Sequence, residues 1–191
     1  SEIGWKSYVL EGGYKYYRTQ VLDGLKTLPQ PLKLIIIAGR TGSAKTKLLY
    51  QLREAGQQIL DLEGLANHRG SLLGKSSDPQ PSQKQFESHL FSEMAGFDTT
   101  RPVFVESESS RIGDVHIPKM LWHQMIAAPL ILVTADRRER ASYLVEEYPH
   151  LLADQQDLIR LIEGMVFRHG KAETARWKSL MEQQNWLELA E

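Results

Sequence analysis

Cysteine is absent from the 191 residues. That removes disulfides, zinc–thiolate sites, iron–sulfur clusters and thiolate nucleophiles from this chain. A reducing cytoplasm is the expected compartment for a chain without such staples. An excess of charge of one sign is missing too. With 23 Lys+Arg against 24 Asp+Glu the formal net charge is -1, which excludes a strongly basic nucleic-acid binder but leaves room for a local basic face. Long hydrophobic runs are lacking as well. The longest, Leu34 to Ala38, falls far short of the roughly 20 residues that a membrane-spanning helix needs, so no membrane association is expected. Ser1–Glu2–Ile3–Gly4–Trp5–Lys6 has no basic segment leading into an apolar one, as a signal peptide would. It also has no initiating Met, and processing or a cut from something longer is the expectation.

What remains is an ordinary globular composition, long enough for one domain with a real core. Glycines 12 and 13 read as a turn ahead of a helix that runs to about Leu25, and Pro29–Gln30–Pro31 ends it. Short apolar runs then alternate with helical segments. The runs are Lys33 to Ala38, Gln58 to Asp61, Pro102 to Glu106 and Pro129 to Thr134. Such strands with helices between them predict an α/β fold whose parallel sheet is covered on both faces. Helix starts are legible at Thr46, at the Ser82/Gln85 capping box and at Pro118 as a first helical residue. After Arg137 the chain reads as helical, broken near Tyr148–Pro149 and Arg168–Gly170. Gly74 to Pro79 reads as a loop. This predicts a lead-in segment over 1–30, an α/β core over 31–150 and a helical extension over 151–191.

Gly39–Arg40–Thr41–Gly42–Ser43–Ala44–Lys45–Thr46 lies between the first strand and the next helix, the context a P-loop requires. The loop N–H groups and the helix N-terminus would hold phosphate oxygens. Lys45 would reach the terminal phosphates, and the Thr46 hydroxyl would ligate Mg²⁺. Ala44 stands where the pattern has glycine, a departure that bears on loop shape. The fold expected is therefore a P-loop NTPase-like, three-layer α/β fold with a mainly parallel sheet and a helical C-terminal extension.

A neighbouring strand of such folds ends in an acid on the Mg²⁺ side. Glu106 is the favoured residue, and Glu108 would point the same way if the strand continued. Asp61 and Glu63 follow the second strand at the same sheet edge. Arg137, Arg138 and Arg140 open a helix after the fourth strand. They would clamp phosphate, meet RNA backbone or form a solvated face. Arg168, His169, Lys171, Arg176 and Lys178 read as a solvated face or an RNA contact, and Trp177 and Trp186 as packing residues.

Longer strings are more specific than the P-loop. They are Asp61–Leu62–Glu63–Gly64–Leu65–Ala66–Asn67–His68–Arg69–Gly70–Ser71, Pro81–Ser82–Gln83–Lys84–Gln85–Phe86–Glu87 and Glu106–Ser107–Glu108–Ser109–Ser110–Arg111–Ile112–Gly113, with Gly12–Gly13–Tyr14–Lys15 upstream. In this order they resemble tRNA 2-selenouridine synthase from about residue 10 to at least 150. The resemblance implies a transferase acting on wobble 2-thiouridine of tRNA. It would add a geranyl group from geranyl diphosphate to the sulfur and then replace S-geranyl with selenium from selenophosphate. In that family a P-loop domain follows a rhodanese-like domain whose cysteine serves the selenium step. This chain has neither that cysteine nor room before Gly12 for that domain, so the resemblance is to the P-loop half, and selenation by this chain alone is not expected. Geranyl diphosphate would then sit on Lys45, Thr46 and the loop amides, with Mg²⁺ on Thr46 and Glu106. His68 would act as an acid or base, or orient thiouridine together with Arg69; a hydrogen-bonded loop pair is the plainer alternative. Arg111 would touch phosphate or tRNA, or pair internally with Glu106 or Glu108. A small-molecule kinase or NTPase, and a non-catalytic tRNA-docking module, remain alternatives.

Overall fold

The computed structural model describes residues 11–68, 79–149, 152 and 155–191. Four parallel strands form the central sheet. They are β1 (Lys33–Ala38), β2 (Gln58–Leu60), β3 (Pro102–Glu106) and β6 (Leu130–Leu132), in the order β2-β3-β1-β6. A short antiparallel hairpin, β4 (Arg111–Ile112) with β5 (Val115–His116), stands apart. Its one local signal is Gly113–Asp114, a turn pair between two apolar residues.

Alternation along β1 makes three layers. Leu34 and Ile36 face one cluster, where α1 (Gly13–Thr27), α4 (Gln83–Ala95) and α5 (Lys119–Ala127) bury Val21, Leu25, Phe86, Leu90, Leu121 and Met125. Ile37 faces the other side, packing with Leu49 of α2 (Lys45–Glu54) and Ile59. Period-2 alternation delivers one β-branched or aliphatic side chain to each layer in turn. An ion pair between Arg18 and Glu87 ties α1 to α4. Pro118 sits one position before the expected place, at the cap of α5 with Lys119 first in the helix.

The expectation of a sheet covered on both faces fails at β6. Leu130, Ile131 and Leu132 are 58%, 48% and 64% exposed. As the edge strand, β6 pairs only with β1 among the described residues, and its side chains stay open to solvent.

The chain after β6 is helical: α6 (Arg137–Glu147), α7 (Gln155–Gly164), α8 (Val166–His169), α9 (Lys171–Glu182) and α10 (Trp186–Ala190). Asp136 and Glu139 close a reciprocal capping box at the start of α6. Trp177 and Trp186 pack on a small cluster of Leu158, Ile162 and Met181. Arg176 pairs with Glu173 and Glu188, and Lys178 with Glu163. Among the described residues, no helix is long and apolar enough to cross a membrane. Gly74 to Asp78 of the expected loop lies outside the described residues.

Candidate functional site

The site forms where β1 and β3 end together. Their register sets Ile37 beside Glu106, and the Ser107 N–H donates to the Ile37 carbonyl at 2.9 Å. Residues 39–44 then turn tightly before α2. The Ser43 N–H donates to the Arg40 carbonyl, and α2 starts when the Leu48 N–H reaches the Ala44 carbonyl. No side chain caps α2, so the N–H groups of its first turn, Lys45 to Lys47, stay available to an anion.

Gly42 is fixed by two demands. Its φ is 82°, and a Cβ there would come within 2.7 Å of the Arg140 carbonyl oxygen and 3.1 Å of Leu144 Cγ. Ala44, where the P-loop pattern has glycine, keeps the left-handed conformation with φ 58° and ψ 30°. An L-residue held there costs about 1–2 kcal/mol. The glycine-to-alanine departure therefore leaves the loop's backbone path intact and charges it with strain.

Lys45 folds back toward the loop, its Nζ 3.5 Å from the Arg40 carbonyl. The Thr46 hydroxyl donates to Glu106 Oε1 at 3.0 Å. Glu106 is only 2% exposed. Burial pushes its carboxyl up to about 7, helped by the charge of Glu63 and opposed by the Thr46 hydrogen bond and by Lys45. Glu106 Oε2 and Ser43 Oγ are both buried with no hydrogen-bond partner. Such groups cost free energy unless a ligand completes them.

β3 stops at Glu106, so strand alternation does not carry Glu108 onward. Glu108 nevertheless comes to the same place. Burial, then the charge of Glu63 and a hydrogen bond with it, push the Glu108 carboxyl up to about 8. Asp61 caps α3 (Leu62–Ala66) by accepting from the Gly64 N–H, and accepts a second bond from the Tyr50 hydroxyl at 2.7 Å. Burial and this bond hold the Tyr50 hydroxyl up at about 12. Tyr50 was not among the residues singled out in the sequence, although it lies one helical turn after Thr46 on the same face.

The remaining candidates divide. His68 follows α3 with Nδ1 buried and without a partner. Arg69 lies outside the described residues. Arg140 joins the loop, its guanidinium donating to the Thr41 carbonyl at 3.2 Å. Arg137 instead donates to the Glu191 backbone carbonyl, and Arg138 is exposed. Arg111 does not pair with Glu106 or Glu108. It is held within its own hairpin by the Gly113 carbonyl and Asp114, because the β4–β5 turn carries it away from the end of β3.

Hard oxygen donors beside a phosphate loop suit Mg²⁺. Glu106 Oε2, without a partner, and the Thr46 hydroxyl beside it are the groups that would hold the ion. A cation there would supply charge neutralisation for bound phosphate. A cavity of about 390 Å³ lies elsewhere, among Leu32 to Ile35 and Ala127 to Pro129 at the opposite strand ends. It adjoins none of the groups above.

A family model described as the tRNA 2-selenouridine synthase AAA domain matches residues 32–174. The tRNA 2-selenouridine synthase of Nitrosomonas europaea is 35% identical over 77% of this chain and 39% of its own length. That of Shewanella denitrificans is 39% identical over 77% of this chain and 40% of its own. That of Marinobacter nauticus is 35% identical over 88% and 42%. The chain thus spans about two fifths of the length of these relatives. No solved structure matches it.

Proposed function

Because the chain belongs to the family of tRNA 2-selenouridine synthase AAA domains, we propose that it is the phosphate-binding module of an enzyme that modifies wobble 2-thiouridine of tRNA, and that its P-loop holds geranyl diphosphate. The observation that carries this is the convergence of Lys45, Thr46, the uncapped start of α2 and the buried, half-satisfied Glu106 at one point. A diphosphate needs such a set: backbone donors, a mobile cation and a metal-side acid.

The chemistry follows from the parts. The thiouridine sulfur attacks the first carbon of the geranyl group, the carbon–oxygen bond to diphosphate breaks, and pyrophosphate leaves with the electron pair. Charge grows on the leaving oxygens, where Lys45 and the N–H groups of the first turn stabilise it. Mg²⁺ at Thr46 and Glu106 would share that charge when bound. The proton lost from the uracil ring goes to a base, and His68, with Nδ1 unpartnered, is the candidate. Exchange of S-geranyl for selenium from selenophosphate is assigned to a rhodanese-like domain acting with this one.

Calorimetric titration with geranyl diphosphate tests this. Wild type should bind it, and Lys45→Ala should weaken binding by about tenfold or more, as for loss of a charge-assisted contact. Equal affinity in both proteins refutes the assignment. Steady release of phosphate from ATP, without geranyl diphosphate binding, would favour the kinase or NTPase alternative.

A further inference from the structure

A second cavity lies between α6 and the C-terminal helices, linked to the loop through Leu144. It measures about 230 Å³ and is walled by Leu144 and Val145 of α6, Tyr148 just after it, Leu161 of α7, and both Trp177 and Trp186. Among the described residues, no charged side chain contributes to its lining. Its walls are mainly hydrocarbon, with the Tyr148 hydroxyl and the two indole N–H groups as polar side-chain atoms. Most of these residues are half-buried, so the cavity opens outward and is not sealed inside the core.

Its position is more informative than its composition. α6 starts at the loop, where Arg140 donates to the Thr41 carbonyl and Gly42 packs under Arg140 and Leu144. One turn later the same Leu144 forms the cavity wall. A single residue therefore touches the anion-binding loop on one side and the apolar space on the other. A ligand that filled both would have a phosphate head and a hydrocarbon tail.

We infer that this cavity between α6 and the C-terminal helices is the tail site of the substrate whose diphosphate lies on the P-loop, and that it sets the length of chain accepted. The inference rests on the diphosphate assignment above and adds the residues that measure the tail. Size supports it. A dry aliphatic cavity of roughly 150 Å³ takes benzene, six carbons. On that scale about 230 Å³ takes a chain of about nine carbons. The helical extension thus becomes a specificity element, with Trp177 and Trp186 as rigid walls.

Titration of this chain with geranyl diphosphate and with inorganic pyrophosphate separates tail from head. Wild type should bind geranyl diphosphate about tenfold or more tighter than pyrophosphate, the surplus coming from buried hydrocarbon. Val145→Phe, which fills the cavity, should erase that surplus and leave pyrophosphate affinity unchanged. Leu161→Ala, which enlarges it, should raise affinity for farnesyl diphosphate, one isoprene unit longer, relative to geranyl diphosphate. A gain of that kind does not come from misfolding. The tail site is overturned if Val145→Phe keeps the surplus, if Leu161→Ala leaves the ranking of chain lengths unchanged, or if wild type binds both ligands equally. In these three outcomes pyrophosphate still binds and the loop assignment stands. Failure of wild type to bind either ligand removes the loop assignment and the tail site with it.

Discussion

At Glu106, burial and incomplete hydrogen bonding fall on one carboxyl. It is buried, it accepts one hydrogen bond from Thr46, and its second oxygen has none. Its carboxyl is raised from an ordinary 4.5 to about 7, so the folded protein holds that proton more tightly than the unfolded chain does. The stability this provides is complete below about pH 4.5, drains away as pH rises toward 7, and changes no further above it. At 1.36 kcal/mol per unit, the loss is on the order of 3 kcal/mol. Glu106→Gln mimics the protonated form and removes the dependence at this position. In urea unfolding without divalent cations at pH 5, 6 and 8, wild type should lose more stability across the range than Glu106→Gln. Some decline persists in the variant, because Glu108 is raised as well. Parallel curves would show that the burial of Glu106 has no such cost. The acid was legible in the sequence as the end of an apolar strand; its burial was not, because that depends on the loop folding over it.

Between elements, two glutamines do the work of a missing strand. The β4–β5 hairpin has only two residues per strand and no neighbour in the main sheet. Gln80 accepts from the Asp114 N–H and donates to the Ala66 and Ile112 carbonyls. Gln83 accepts from the His116 N–H and donates to its carbonyl. Each side-chain amide thus replaces a peptide group at a bare edge. Gly113, with φ 57°, has no room for a Cβ because Gln80 lies against it. Together these contacts tie α3, α4 and the hairpin into one unit beside the acidic cluster. Gln80→Ala should leave the Asp114 N–H and two carbonyls without their partner and cost about 1–3 kcal/mol. Chemical denaturation would show it as a lower midpoint at unchanged slope. A loss below about 0.5 kcal/mol, the usual size for a surface change, would show the amide to be dispensable. This arrangement explains part of the Pro81-to-Glu87 and Ser109-to-Gly113 strings in physical terms. Sequence alone marks them as specific without showing the contacts from Gln80 to Ile112 and Asp114 and from Gln83 to His116, which join positions more than thirty residues apart.

Across the whole molecule, the parts legible in advance share one property: each is written in local pattern. Strands β1 and β3, the turn between β1 and α2, the Ser82 cap on α4 and the break at Pro29–Pro31 all follow from neighbours within a few residues. The features that sequence left open arise from distant packing. The burial of Glu106, the hairpin that removes Arg111 from the site, the bond from Arg137 to Glu191 and the bare faces of β6 are of this kind. β6 shows the limit most clearly. Leu130, Ile131 and Leu132 read as a core strand by composition, yet all three are exposed, with Ile126 on α5 65% exposed as well. An apolar edge strand with open hydrogen-bonding groups is a template for pairing with another strand. The 191-residue chain in isolation should therefore self-associate as its concentration rises, and Leu132→Lys should suppress this by placing a charge on the edge. Because Leu132 is already 64% exposed, the substitution should change unfolding stability by no more than about 0.5 kcal/mol. Sedimentation velocity across a concentration series measures the first effect and urea unfolding the second. If Leu132→Lys lowers stability by several times that amount, the strand is buried in solution and the exposed-edge description fails. If wild type stays monomeric at every concentration, the edge is blunted by its short length.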